Sequence, residues 1–500
     1  MVSRRTFVQQ SALAAGAAAL GESSLAQGVL PPTAGVPAPT PIGIQIGAVS
    51  FQDEGTEKVL DGLREMAGVN TLFVATFTYG RGIAGRQPRG SALPDHGKQE
   101  YDDDYRGGNF ATPHPELYRK TSIGPEKAPD HPGYDVLADV IPAAHRRRMK
   151  VIAWFEDVFR ADVPGLEKAL EVDVHGKAGT RLCLRNPNTR EFWLALVEDH
   201  LRFNPGLDGL MWGSERQGPL NDALGASHGA GPRPSTAACF CPHCLEAARR
   251  EGIGVERARQ GYLALEKWIG GMTEGRKPVD GAFVTFWRIL VEQPEVLAWE
   301  RLWNEGLRDT YRAMFERARA IAPSTPIGWH LWHVNSFAPF YRAEQDYQAF
   351  GPYSDYLKVV MYNNCGGPRL ARYVKNVSST LFADFTPEET LQLVYRIQQY
   401  PREKALDRIA QEGLSADYVR RETARAVAGA PRGLKIWPGI EIDIPTGPGE
   451  KKTQPDDVYQ AVKATFEAGA HGIILSRKYS EMRLDNLRAA GRAVRELKLA

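Results

Sequence analysis

Leu207-Asp208-Gly209-Leu210-Met211-Trp212 runs directly into Gly213-Ser214-Glu215-Arg216-Gln217-Gly218-Pro219. The first half is an apolar run of strand length. The second opens a glycine- and proline-bearing loop with Glu215 near its head. A second apolar run, residues 434–440 (Leu-Lys-Ile-Trp-Pro-Gly-Ile), also ends on a carboxylate, Glu441, with Asp443 two residues further on. Between and around them the same alternation recurs, a short β-branched or aromatic run followed by a longer helical periodicity. That is the pattern of βα units on a parallel sheet. The expected strands are residues 42–51, 71–79, 150–159, 207–212, 327–332, 356–362, 434–440 and 472–476. Apolar residues at three- and four-residue spacing predict helices over 56–67, 134–148, 189–203, 296–321, 456–468 and 484–497.

Eight such units imply an α/β fold, a closed (β/α)8 TIM barrel without sheet edges. Its core normally takes about 250 residues, and this chain has 500. The excess falls into three insertions, residues 81–133, 217–295 and 369–432. Each follows the C-terminal end of a strand (the second, fourth and sixth), where barrels build their active-site rim. An open doubly wound sheet is disfavoured, because no Gly-x-Gly-x-x-Gly turn follows the first strand.

Apolar residues make up 43 % of the chain and charged residues 24 %, with a net charge of +2. These are ordinary values for a globular protein. No basic stripe with interleaved aromatics is present, which argues against a nucleic-acid partner. Ser3-Arg4-Arg5-Thr6-Phe7-Val8-Gln9 resembles a twin-arginine export signal; an apolar run from Ala12 to Leu20 and a Ser24-Leu25-Ala26 cleavage site follow it. The apolar run is shorter than the roughly 20 residues of a membrane span. The expectation is a leader over 1–26, a linker with five prolines over 27–41, and a barrel over 42–500 exported to the periplasm or beyond. Oligomeric state cannot be read from the sequence.

The strands ending at Glu215 and Glu441 should open on one cavity. Two carboxylates facing each other across a barrel mouth are the apparatus for cleaving a glycosidic bond. On this reading Glu215 is the general acid/base, its proton retained by desolvation against Trp212, and Glu441 is the nucleophile with Asp443 as substitute. Around them a carbohydrate would meet Trp154, which ends strand three with Glu156 and Asp157. It would also meet His330 and Trp332 of Trp329-His330-Leu331-Trp332-His333, Tyr362 and Asn363 after strand six, and Trp437. Arg477 and Lys478 after strand eight complete the set. No cofactor is expected.

Glutamates after strands four and seven resemble the large clan of retaining glycosidases built on (β/α)8 barrels, in which a Tyr after strand six often contacts the nucleophile. Tyr362 is the corresponding residue. The chain is also similar to bacterial glycosidase-like barrels that carry Asp-Gly early in strand four, a Cys-x-Cys-Pro-x-Cys loop and an Asn-Pro pair before the preceding helix. Asp208-Gly209, Cys239-Phe240-Cys241-Pro242-His243-Cys244 and Asn186-Pro187-Asn188 carry that likeness. With the leader, the two likenesses imply an exported glycoside hydrolase, retaining as in the clan. A carbohydrate-binding barrel without catalysis, or a metal-dependent sugar isomerase or lyase, are the alternatives, since fold alone does not set function.

Cys183 and Cys365 complete a set of five cysteines. Cys239, Cys241 and Cys244 have half the spacing of a zinc site. In an oxidising compartment a disulfide or structural thiols are favoured over a metal, with His243, His228 or a distant cysteine able to supply a fourth ligand. Gly225-Ala226-Ser227-His228-Gly229 spells an esterase motif, but no apolar strand leads into it, so a nucleophile elbow is not expected.

Overall fold

The computed structural model describes residues 39–80, 84–160, 162–229 and 231–499. The expected leader, and the linker up to residue 38, lie outside the described residues. From Thr40 onward the chain forms one unit.

The eight barrel strands are β1 (Ile42–Ile46), β2 (Thr71–Thr78), β3 (Lys150–Glu156), β4 (Gly209–Gly213), β5 (Ile327–Leu331), β6 (Tyr356–Val359), β7 and β8 (Ile473–Ser476). Strand β7 comes in two halves, Lys435–Ile436 and Gly439–Glu441. The lower half pairs with β6 and the upper half with β8, all parallel. A parallel bridge between Val360 and Gly439 joins the upper half back to the sixth strand. With β8 also paired to β1, the ring is closed. Pro438 explains the break: it brings no N–H to the ladder, and the strand resumes one residue later.

Helices α1 (Thr56–Ala67), α2 (Val136–Arg146), α3 (Pro187–Phe203) and α5 (Glu295–Ile321) follow the first four strands and α7 (Ala416–Gly429), α8 (Pro455–Glu467) and α9 (Leu484–Glu496) the last three; α4 (Pro242–Arg250) lies in the loop after β4, and α6 (Gly366–Val377) starts the one after β6. Local chemistry sets several starts. The Asp135 side chain accepts the N–H groups of Leu137 and Ala138 at the head of α2. Asn186 caps α3 by accepting from Asn188 N–H, with Pro187 at the first helical position. The Asn-Pro pair noted in the sequence is thus a helix start.

Three expectations are corrected. The first strand stops at Ile46, and Ala48–Glu54 is a helix with Gly47, still extended, at its N-cap. The third stops at Glu156 rather than at residue 159. A hairpin, Leu170–Val172 with Ala178–Leu182, follows it and was not foreseen. Its turn is built on Asp173, whose side chain accepts the N–H groups of His175 and Lys177.

Alternation along each strand sorts the side chains. Trp212 and Trp329 face outward, where they pack on Trp193 of α3 and Tyr311 of α5. Inside, the floor is aromatic: Trp437 stacks on Tyr356 with ring centres 4.1 Å apart, and Phe73 meets both edge-on. A Cβ on Gly328 would lie within 2.2–2.5 Å of the Tyr356 ring; only glycine lets that ring into the barrel. Each such buried aromatic stabilises the fold by about 1.5–3 kcal/mol.

Outside the barrel core, Asn221 Nδ2 donates to two buried carboxyls at once, Glu300 at 2.9 Å and Glu344 at 2.8 Å. Burial, which takes charge from water into a medium that solvates it poorly, pushes Glu300 to about 7. Burial and the Glu300 charge push Glu344 up as well. Both groups are raised above their unfolded values, so their stabilising contribution is full below about pH 4.3 and is lost as pH rises through the folded values. Glu344→Gln should therefore flatten the fall in Tm between pH 5 and pH 9, leaving the variant roughly 2–4 °C above the parent at pH 9. An unchanged pH slope in thermal melts would show that the pair does not share a proton.

Candidate active site

Upper positions of four strands face inward to form one polar floor for the mouth. Lys358 of β6, fully buried, donates from Nζ to Gln45 Oε1 of β1 (2.6 Å) and to the Tyr362 hydroxyl (3.2 Å). Ser476 of β8 donates to the same Gln45 oxygen at 2.8 Å. The Lys358 ammonium also stands 5.9 Å from the centre of the Trp154 ring of β3. Burial holds Lys358 down to about 7, against the pull of Glu156 and Glu215.

Glu215 stands at the rim with 54 % of its side chain exposed, and His330 Nε2 of β5 lies 3.0 Å from its Oε1. The His330 ring is lowered by burial and by Lys358, so at neutral pH it is uncharged and its Nε2–H donates to the carboxylate. What burial it has acts to raise Glu215, but the His330 hydrogen bond and the charge of Arg369 outweigh it and hold the carboxyl well below its usual range. Above the His330 titration, the N–H bond and Arg369 maintain that ionisation. The expected desolvation by Trp212 is absent, because that indole packs outward under α3 and α5.

Glu156 ends β3, next to β4, and pairs in register with Gly213, two residues before Glu215. Burial and the negative charge of Glu215 push its carboxyl up to about 8, against Lys358, Arg477 and Lys478. Two neighbouring carboxyls are thus driven apart, one kept protonated and the other ionised.

Glu441 sits elsewhere in the mouth. It is fully buried and accepts the backbone N–H of Cys365 at 2.9 and 3.2 Å, at the start of α6. Thr453 Oγ1 donates to it at 3.4 Å. Burial pushes it to about 7. Arg369 lies where its charge acts on both Glu441 and Glu215; it donates to His333 Nδ1 at 3.1 Å and lies over the Tyr362 ring. Asp443 faces away into its own contacts, Arg483 Nε at 2.7 Å and Asn486 Nδ2 at 3.0 Å, beside a cavity of about 250 Å³.

Of the other expected contacts, Trp154 and Tyr362 are buried beside Lys358, and His330 beside Glu215. Asn363 is buried after β6, its Oδ1 without a partner among the described residues. The Trp154 Nε1, His330 Nδ1 and both side-chain polar atoms of Asn364 are likewise unpartnered, which marks a surface with hydrogen bonds left to give. Trp332 leaves the strand, which ends at Leu331, and packs on His228 and Tyr341. Trp437 is a correction: it belongs to the barrel floor. Arg477 is committed to a double ion pair with Glu481 at 3.0 and 2.9 Å, and Lys478 is buried, donating to the Gly85 carbonyl. Neither is a solvated surface charge.

Lys358, Arg369, Gln45 and the role of Glu156 were missed. A lysine inside the apolar run Tyr-Leu-Lys-Val-Val-Met-Tyr was the available signal, since lysine is almost never fully buried without a partner.

Two buried side chains fix the loops that carry the carboxyls. Arg216 grips Asp157 through Nε at 2.7 Å and Nη2 at 2.8 Å, and Ser214 Oγ donates to the same carboxylate at 2.9 Å. Asp157 follows Glu156, and Arg216 follows Glu215. Ser227, of the esterase-like string, sits in a loop where its Oγ accepts Gly229 N–H at 3.2 Å.

Residues 115–195 match the family described as Glycosyl hydrolase-like 10. The chain resembles a glycoside hydrolase-like barrel. The matched segment includes β3 with Glu156 and Asp157 and stops before Glu215. No curated protein matches the chain. Among solved structures, the chain is similar to alpha-L-fucosidase isoenzyme 2 from Paenibacillus thiaminolyticus (12 % identity, TM-score 0.46), covering 92 % of this chain and 49 % of that one. The PgaB (BpsB) glycoside hydrolase domain from Bordetella bronchiseptica aligns at 12 % identity and TM-score 0.45 over 92 % of this chain and 99 % of that one. A beta-galactosidase from the haloarchaeon Halorubrum lacusprofundi gives 12 % identity and TM-score 0.49, over 92 % and 58 %. This chain therefore spans about half the length of the fucosidase. Among the described residues no helix is long and apolar enough to cross a membrane.

Proposed function

We propose that this protein is a glycoside hydrolase in which Glu156 donates the proton to the leaving oxygen and Glu215 acts as the carboxylate nucleophile. The observation that carries this reading is the pair of carboxyls at the ends of adjacent strands, Glu156 in register with Gly213 and Glu215 two residues on beside His330, the first pushed up by burial and the second held down. A sugar bridging them would have one proton donor and one carboxylate nucleophile facing the same bond. A carboxylate at the head of the β4 loop that accepts a hydrogen bond from His330 suits a nucleophile, so the reading is of a retaining enzyme. Glu441, whose oxygens are engaged by the Cys365 N–H and the Thr453 hydroxyl, then braces the loop after β6 instead of attacking the sugar.

The substrate is an oligo- or polysaccharide fragment, met by Trp154, Tyr362, Asn363 and His330. Export through the twin-arginine leader belongs to the same reading, with the mature chain beginning at Gln27; N-terminal sequencing of periplasmic protein tests it.

The purified chain should release reducing sugar from at least one member of a broad oligosaccharide panel, with NMR showing the anomer of the product matching that of the substrate. Its kcat/KM should fall as pH rises through about 8, where Glu156 loses its proton. Binding without turnover across the panel overturns the hydrolase reading, and an inverted anomer overturns the nucleophile role of Glu215.

A further inference from the structure

Cys183, Cys239, Cys241 and Cys244 bring their four sulfurs within 4.8 Å of one another, all buried. Cys241 Sγ is 3.4 Å and Cys244 Sγ 3.6 Å from Cys183 Sγ. A bonded pair of sulfurs would stand about 2.05 Å apart, so none of these is a disulfide and the cysteines are free. Four thiolates around a zinc ion at about 2.3 Å form a tetrahedron whose edge is about 3.8 Å. The observed spacings approach that edge. The fourth member, Cys183, comes from the end of the hairpin before α3, far from the other three in sequence.

From this geometry we infer that the four cysteines form a structural site for one tetrahedral thiolate-bound metal ion of the zinc class. The surroundings suit it. The backbone N–H of Val172 donates to Cys239 Sγ at 3.3 Å, the kind of outer bond that steadies a metal-bound thiolate. Four sulfurs packed this closely repel one another as thiolates unless a cation sits among them. Tetrahedral sulfur donors select zinc or iron over the oxygen-seeking ions, and four protein ligands leave no open position for chemistry.

The ion would staple three pieces of chain: the hairpin, the start of α3 and the start of α4. Phe240 N–H already donates to the Val172 carbonyl at 2.7 Å. The carbonyl of Leu182, next to Cys183, accepts from Arg216 Nη1 at 2.5 Å. Arg216 in turn holds Asp157, so the staple steadies the loops that present Glu156 and Glu215 without touching them.

The test is metal analysis of the full-length chain, purified without chelator. One zinc or iron ion per chain is expected, with X-ray absorption showing four sulfur neighbours. Cys183→Ala should lose that equivalent, while Cys365→Ala keeps it. Should Cys183→Ala fail to fold, mercurial titration of the parent protein replaces it: the ion should leave in step with the modification of four thiols. Less than about a tenth of an ion per chain overturns the proposal. So does a mass 2 or 4 Da below the fully reduced value, which would reveal disulfides, or full metal retention in folded Cys183→Ala. None of these readouts depends on the protein being a hydrolase.

Discussion

Glu156→Gln should lower kcat/KM on a natural oligosaccharide by about 10²–10⁴-fold while sparing substrates whose leaving group needs no proton. Glutamine keeps the size and polarity of the side chain but has no acidic proton to give. A dinitrophenyl glycoside or a glycosyl fluoride departs without help, so its first step should be nearly as fast as in the parent. Hydrolysis of the glycosyl-enzyme would then limit turnover, because the same residue must return as base. Azide, which needs no base, should accelerate that step and yield the glycosyl azide of unchanged anomeric configuration. The alkaline fall near pH 8 should disappear with the group that titrates there. Glu215→Gln should instead abolish turnover of every substrate, activated or not. Equal losses of Glu156→Gln on activated and unactivated substrates would remove the proton-donor role, and normal activity in Glu215→Gln would remove the nucleophile. Collapse on Glu441→Gln alone would return the chemistry to the strand-seven carboxylate.

Much of the barrel was legible because strands covered on both faces read as unbroken apolar runs, and 71–79, 327–332 and 472–476 fell within a residue or two of β2, β5 and β8. Where backbone chemistry interrupts a run, reading failed. Trp437-Pro438 splits β7 because proline removes one ladder bond, and a helix with Gly47 at its N-cap takes the place of the end of the first run. The hairpin at 170–182 stayed hidden, since its strands are only three and five residues long.

The site was legible as a location more than as a set of roles. Glu215 and His330 meet at 3.0 Å, and Trp154 and Tyr362 both lie beside Lys358, as shared strand ends anticipate. What a carboxyl does there depends on neighbours contributed by other strands. Glu156 is raised by burial and then by Glu215 of the next loop, and opposed by Lys358 and Arg477 from β6 and the end of β8; no local pattern around Trp-Phe-Glu-Asp carries that information. Trp212 misled for a related reason. It adjoins the Glu215 loop in sequence, yet strand alternation turns it to the opposite face.

The ion pair beneath the site yields the largest stability effect. Arg216 and Asp157 are 4 % and 0 % exposed, so both charges have given up water and depend on each other. Arg216→Met should cost about 3–5 kcal/mol, because Asp157 is left buried with the Ser214 hydroxyl in place of a counter-charge. Burial holds the Asp157 carboxyl above the usual range even beside Arg216, and removing the guanidinium should raise it further. A carboxyl whose folded value exceeds its unfolded one favours the native state most at low pH, so the penalty should shrink as pH falls from 8 to 5. Adding Asp157→Asn removes the stranded charge and should recover most of the loss, a coupling that urea melts of the four proteins in the cycle would measure. Since the pair joins the loops of Glu156 and Glu215, Arg216→Met should also lower kcat by roughly 10²-fold at temperatures where it stays folded. An additive double variant, or a penalty that grows toward acid pH, would show that the guanidinium is not what makes the buried aspartate tolerable.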